Sequence, residues 1–456
     1  MKSNDISDDQ TNLIPTTIID EEPELTTDVD LTQVNSKSCL SKLCIKFSKG
    51  YKSYTIIQLS TSTLTIIALT LPYILHTCGM VEGAIIFTII GVISFYTMTL
   101  MLELIMKTNA ISYYHFLNYN IGKGVSYFYQ GANMTYSFCI IMMMCFLSVE
   151  LVVDLIQGFS TFEIDFIYRI MIAMIFAVAQ FGFSLWPFEF IKLIAQYMTL
   201  IIVILSFIFI FVVMIMDCKE IKGSFELFKN GGFNILYVIG IIFISFNSHN
   251  NLVECFKVFN MRTKKRGNKV ILMHVIFIFF FFLAFAYVGY LLYLSSSPKI
   301  TFNTIILFIT NSHLSSPFAK FLLISIKILF ILSSQFEIIS IISKRKDEIK
   351  FISHNQLSVA KNILICLFVP LIANGLALFI RNILTIVGIA GGVCTCIISF
   401  LLPCYAYKRL IPGDTLKHLL NYLIMFAAFV AGLMITGYAL YHSVSIERNV
   451  EMLSNK

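Results

Sequence analysis

The chain has 456 residues, of which 57% are hydrophobic and 13% charged, with 43 Phe and a mean hydropathy of +0.82. Soluble domains carry about 25% charge, and this much apolar surface exceeds what a monomer in water leaves exposed. A soluble enzyme, a nucleic-acid module and a disordered chain are therefore excluded. The net charge of +7 sums two unlike parts: residues 1–30 hold nine acids and one Lys, and the remainder is strongly basic.

In chain order, residues 1–50 are expected to form a disordered, acidic cytosolic tail. Within it, Asp9, Leu13 and Ile14 fit the acidic dileucine pattern read by sorting adaptors. No basic n-region opens the chain, so the first membrane segment is expected to serve as its own signal anchor. Crossing a bilayer takes about 20 mainly apolar residues. Such spans are predicted over 53–81, 83–102, 124–149, 170–188, 193–216, 230–253, 270–298, 321–343, 362–380, 382–407 and 418–446. The run 300–319 reads as a loop with one helical turn, because its second half is polar. Eleven spans with the N-terminus inside place 23 of the 33 Lys and Arg on the cytoplasmic side, as the positive-inside rule requires. The membrane-embedded domain is thus expected over 51–442, followed by a short non-cytosolic tail, 443–456.

Polar groups are costly inside a bilayer and need partners or a water-filled cavity. They concentrate twice. The first span carries Ser60, Thr61, Ser62, Thr63 and Thr65 ahead of Leu71-Pro72-Tyr73, and the sixth carries Ser245 to Asn251. Five spans separate the two, so they run in opposite directions, as in inverted repeats whose first helices are broken around a midplane site. A half-helix N-terminus there suits a carboxylate and carbonyl ends suit a cation. A single hydroxyl bonds back to its own helix readily; several Asn side chains do not.

These residues carry a resemblance. Leu71-Pro72-Tyr73, Gly79 and Ser94-Phe95-Tyr96, then FNSHNNLVECFKVFNMRTKKRGNKV (246–270), then LTIVGIAGGVCTCIISFLLPCYAYKRL (384–410) with Gly388, Gly391 and Pro403, are similar to the amino acid/auxin permease family. The resemblance implies an all-α membrane protein of the APC superfamily with a LeuT-like fold. That fold is a 5+5 inverted repeat with broken first and sixth helices, plus one extra helix. It implies a secondary transporter of amino acids driven by a proton or sodium gradient. The family's usual glycines before the Leu-Pro are replaced by Thr65 and Ile67, which moves the expected break of the first helix to Ser60–Thr63.

Candidate substrate contacts are Thr61, Ser62, Thr63, Thr65, Ser245, Asn247 and Ser248. His249 is either a proton carrier or a structural imidazole. Ser333 and Ser334 are either sodium ligands, together with first-helix carbonyls, or packing hydroxyls. Lys327 and Glu337 share the eighth span too far apart to pair, and both are expected to snorkel, with Glu337 a second candidate for proton coupling. Glu103, Glu150, Asp154 and Glu254 fall at span ends, where ordinary solvation is expected. Gly388 and Gly392 are expected to admit a close helix neighbour. Cys78 and Cys218 either pair near the outer face or stay inert thiols.

The function expected is alternating-access transport of neutral amino acids; the alternative is a sensor signalling through its tail. No enzyme activity, cofactor, metal or nucleic acid is expected, only a coupling ion, H+ or Na+. The expected setting is a monomer in a lipid bilayer, either the plasma membrane or the vacuolar or lysosomal membrane.

Overall fold

The structure is a computed structural model. It describes residues 52–61, 70–108, 112–159, 165–186, 226–229, 231–259, 263–296, 317–352, 359–379, 383–413 and 415–454, with position 110 and single positions or short pieces between 191 and 212. Every regular element among them is helical. Nine helices among the described residues are long and apolar enough to cross a membrane, and they coincide with nine of the eleven expected spans. The other two, 53–81 and 193–216, contain undescribed residues, as do 300–316 and the tail with Asp9, Leu13 and Ile14.

The first span is divided. Helix α1, Lys52–Thr61, is followed after undescribed residues by α2, Leu71–Cys78. Pro72 sits in the first turn of α2, where its missing N–H leaves no bond unmade. Ser60 and Thr61 complete α1, so the break expected over Ser60–Thr63 does not begin there. Then come α3, Met80–Thr108, and a short α4, Tyr113–Asn120, capped by Ser112, whose hydroxyl accepts from the His115 N–H. Next are α5, Lys123–Phe159, and α6, Phe166–Ser184.

The sixth span is α7, Ile235–Ser245, and α8, His249–Val258, separated by three non-helical residues, Phe246, Asn247 and Ser248. This break falls inside the polar run, as expected. Helix α9, Lys264–Ser296, packs against α1, α2 and α3. It is followed by α10, Pro317–Ile352, and α11, Val359–Phe379. The tenth span starts as α12, Ile383–Ile389, widens into π-turns over Ala390–Cys394 and Cys396–Leu401, and ends as α13, Leu402–Leu410. The last helix is α14, Thr415–Ser454.

Helix packing near the sixth-span break depends on missing side chains. A Cβ on Gly391 would lie 2.2 Å from the Gly240 carbonyl oxygen, so the tenth span meets α7 backbone to backbone. On the same span, Gly388 and Gly392 face Ala439 and Thr436 of α14, with 2.2 and 2.4 Å left for a Cβ. This is the small-residue packing expected of that pair. Cys78 is buried and free; Cys218 lies outside the described residues.

Two expectations about ionisable groups are corrected. Lys327 does not snorkel: it is 5% exposed, and its Nζ lies 2.7 Å from Asp154 Oδ2 on α5. Asp154 is not at a solvated end either, because α5 continues ten residues past the predicted 149, to Phe159, and carries it into the packed interior beside α10.

Candidate functional site

The site is built around the break between α7 and α8. Ser245 donates its hydroxyl to the Ile241 carbonyl at 2.8 Å, so this candidate bonds to its own helix. The Phe246 carbonyl at the end of α7 accepts from the Ser248 N–H at 3.0 Å and from the Ser94 hydroxyl of α3 at 3.2 Å. Asn247, 6% exposed, accepts at Oδ1 from Ser399 of the tenth span at 2.7 Å. Ser399 reaches it from the second π-turn, and π-turns recur at functional positions in helices. The Asn247 Nδ2 is buried and makes no well-formed hydrogen bond, with the Tyr136 phenol of α5 beside it.

Ser248 occupies the N-cap of α8 but makes no capping bond. Its hydroxyl lies instead 2.8 Å from Nε2 of His274 on α9. The other ring nitrogen of His274, Nδ1, lies 3.0 Å from Ser60 at the end of α1. One imidazole thus ties the broken first span to the broken sixth. His249, fully buried, pairs through Nε2 with Thr97 of α3 at 2.9 Å, and its Nδ1 has no partner. Below the break, α8 is held by a closed triad in which Tyr129 donates to Asn250, Asn250 to Asn133 and Asn133 back to Tyr129, at 3.1, 2.9 and 3.3 Å. Lys344 of α10 adds contacts to Asn251 and Glu254 of α8, at 2.9 and 2.8 Å.

Of the residues expected from sequence, the structure therefore brings Asn247, Ser248 and His249 to one buried locus. Thr61 lies at the end of α1 and donates to the Gln58 carbonyl at 3.3 Å. Ser62, Thr63 and Thr65 lie outside the described residues. Ser333 meets Thr199 at 3.3 Å and Ser334 donates to the Phe330 carbonyl at 2.7 Å. Glu337 is half-buried in α10, with Tyr136 of α5 in electrostatic range. The remaining acids at span ends have cationic partners: Glu103 with Lys264, Glu150 with Arg169 and Glu254 with Lys344.

Three residues that bond to this locus escaped the sequence reading: His274, Thr97 and Ser399. For His274 a signal existed, since an imidazole inside the apolar run 270–298 needs a partner as much as any polar residue of the sixth span.

A profile described as transmembrane amino acid transporter protein matches residues 52–445. No curated protein sequence matches. Among solved structures, one titled as the substrate-bound outward-open state of a Na+-coupled sialic acid symporter aligns at 13% identity over 86% of this chain and 90% of that chain, with a TM-score of 0.49. The profile spans nearly the whole described helical body, and the chain belongs to the transmembrane amino acid transporter family.

Proposed function

We propose that this integral, multi-pass protein moves neutral amino acids by alternating access around the α7–α8 break, drawing on a proton or sodium gradient. The observation that carries the reading is the pair of buried polar atoms at that break that lack a well-formed hydrogen bond, His249 Nδ1 and Asn247 Nδ2, the latter beside the Tyr136 phenol. Such atoms cost about 1–3 kcal/mol each when left unsatisfied, and a bound ligand removes that cost. The bare N-terminal turn of α8 supplies partial positive charge for a carboxylate. Hydroxyl, amide and imidazole groups around it suit a zwitterion without a charged side chain. The opposite wall would come from the first span, with Thr61, Ser62, Thr63 and Thr65 as its substrate contacts.

For the ion, Glu337 is a candidate proton site, since none of the ion pairs among the described residues includes it. Ser333 and Ser334 are the candidate sodium ligands. The dileucine residues Asp9, Leu13 and Ile14 would direct a monomeric carrier to a vacuolar or lysosomal membrane through sorting adaptors, with the plasma membrane as the default. The test is uptake of a panel of labelled amino acids into proteoliposomes under imposed proton or sodium gradients. Gradient-dependent uptake of neutral members is expected; its absence across the panel overturns the reading.

A further inference from the structure

His274 is 2% exposed and sits in an almost wholly apolar stretch of α9. A charge there needs strong compensation, yet neither hydrogen bond of His274 involves a carboxylate. Its two partners are both serine hydroxyls, Ser60 at 3.0 Å and Ser248 at 2.8 Å. That pairing is chemically unusual in what it permits. A hydroxyl has one proton to give and lone pairs to receive. With the ring neutral, one nitrogen donates to one serine and the other accepts from the second. With the ring protonated, both nitrogens donate and both serines offer lone pairs. The change needs one hydroxyl to rotate and no heavy atom to move. Two backbone carbonyls would not allow this, since they only accept.

The two serines belong to the two interrupted spans, so the ring also reports their separation. If α1 withdraws from the α7–α8 break, Nδ1 loses its acceptor. The charged ring suffers most, because hydrogen bonds from a charged donor are about twice as strong as neutral ones. Other titratable groups on elements packed against α9 are Lys52 and Tyr54 on α1, Tyr73, His76 and Cys78 on α2, and Glu82, Tyr96, Glu103 and Lys107 on α3. From α8, packed on α1 and α3, His249 lies in electrostatic range of His274. Two imidazoles this close do not both charge readily, which favours a single proton at the pair.

We propose that His274 holds the coupling proton, taking it up between Ser60 and Ser248 when the two broken spans are together and releasing it when they part. The proposal rests on the transport reading above and narrows its ion to H+.

The test uses the full chain in proteoliposomes with a trapped pH-sensitive dye, and the labelled neutral amino acid that the wild-type chain takes up best. Wild-type vesicles are expected to acidify as substrate enters. His274→Gln, which can still hydrogen-bond but cannot hold a proton in this range, is expected to lose about tenfold or more of that acidification. Exchange of labelled for unlabelled substrate at equal pH should stay measurable in the same variant. Acidification by His274→Gln within about twofold of wild type overturns the proposal. So does wild-type uptake with no acidification, which leaves the transport reading standing. Absence of both uptake and exchange in the wild type sinks that reading too. If His274→Gln does not fold, Ser60→Ala decides. It keeps the imidazole but removes one acceptor of its charged form, so the midpoint of the uptake–pH curve should move about one unit toward acid. An unmoved midpoint is the contrary result.

Discussion

Asp154 of α5 and Lys327 of α10 form an ion pair 2.7 Å across, with side chains 14% and 7% exposed. Removing one member leaves the other charge buried and alone, which costs about 3–5 kcal/mol, whereas replacing both with apolar groups is often neutral. Lys327→Met is therefore expected to lower the melting temperature of the purified protein in detergent by several degrees. The double variant Lys327→Met with Asp154→Leu should recover most of the loss. A single variant as stable as wild type would contradict this account.

A chain of amides joins three spans. Gln180 of α6 donates to Gln335 of α10 at 2.6 Å and accepts from Asn374 of α11 at 2.9 Å. Gln180→Leu leaves the Gln335 oxygen without this donor, at about 1–3 kcal/mol, and Asn374 with only its bond to the Pro370 carbonyl. Gln180→Glu keeps an acceptor for Asn374 but loses the donor to Gln335, so the expected order of thermal stability is wild type, then Glu, then Leu. Equal melting of wild type and Gln180→Leu would sink the idea.

Gly391→Ala forces a methyl to within 2.2 Å of the Gly240 carbonyl oxygen. Overpacking of this kind costs about 1–3 kcal/mol, and here the obstacle is backbone, which yields little. Gly437 on α14 has nothing within 4 Å of its Cβ position. Size-exclusion profiles of fluorescent fusions should show a reduced folded peak for Gly391→Ala and a normal one for Gly437→Ala.

Ser399 holds the Asn247 side chain by its oxygen and leaves the nitrogen without a well-formed hydrogen bond. Ser399→Ala releases that orientation, and Asn247→Asp replaces that donor with an acceptor. Both should raise the substrate KM in uptake assays, by about threefold to tenfold for the first and about tenfold or more for the second. Unchanged KM in Asn247→Asp would remove Asn247 from the binding surface.

Much of the architecture was legible because hydropathy and charge asymmetry read directly as spans. The polar run at 245–251 marked the sixth-helix break, since several Asn side chains have no outlet within one helix. What escaped depended on distance along the chain. Asp154 looked like a solvated end because Glu150 stopped the apolar count at 149, while the helix runs on to Phe159. His274 finds its partners 26 and 214 positions away, a separation that local patterning does not encode. The π-turn that delivers Ser399, Cys396–Leu401, lies in an apolar run just after the glycine pair, which by itself announces only close packing.

Ser248 has a consequence for how the ligand is found. An N-cap serine ordinarily secures the first turn of its helix, a contribution of about 1 kcal/mol; here that hydroxyl is spent on His274 and α8 starts uncapped. On the transport reading proposed above, an anionic ligand group docking at this turn completes it, which links ligand to fold thermodynamically. A ligand present at about 100 times its Kd adds about 2.7 kcal/mol to the folded state. Screening amino acids by the melting temperature of the detergent-solubilised protein therefore identifies the substrate without any flux being measured.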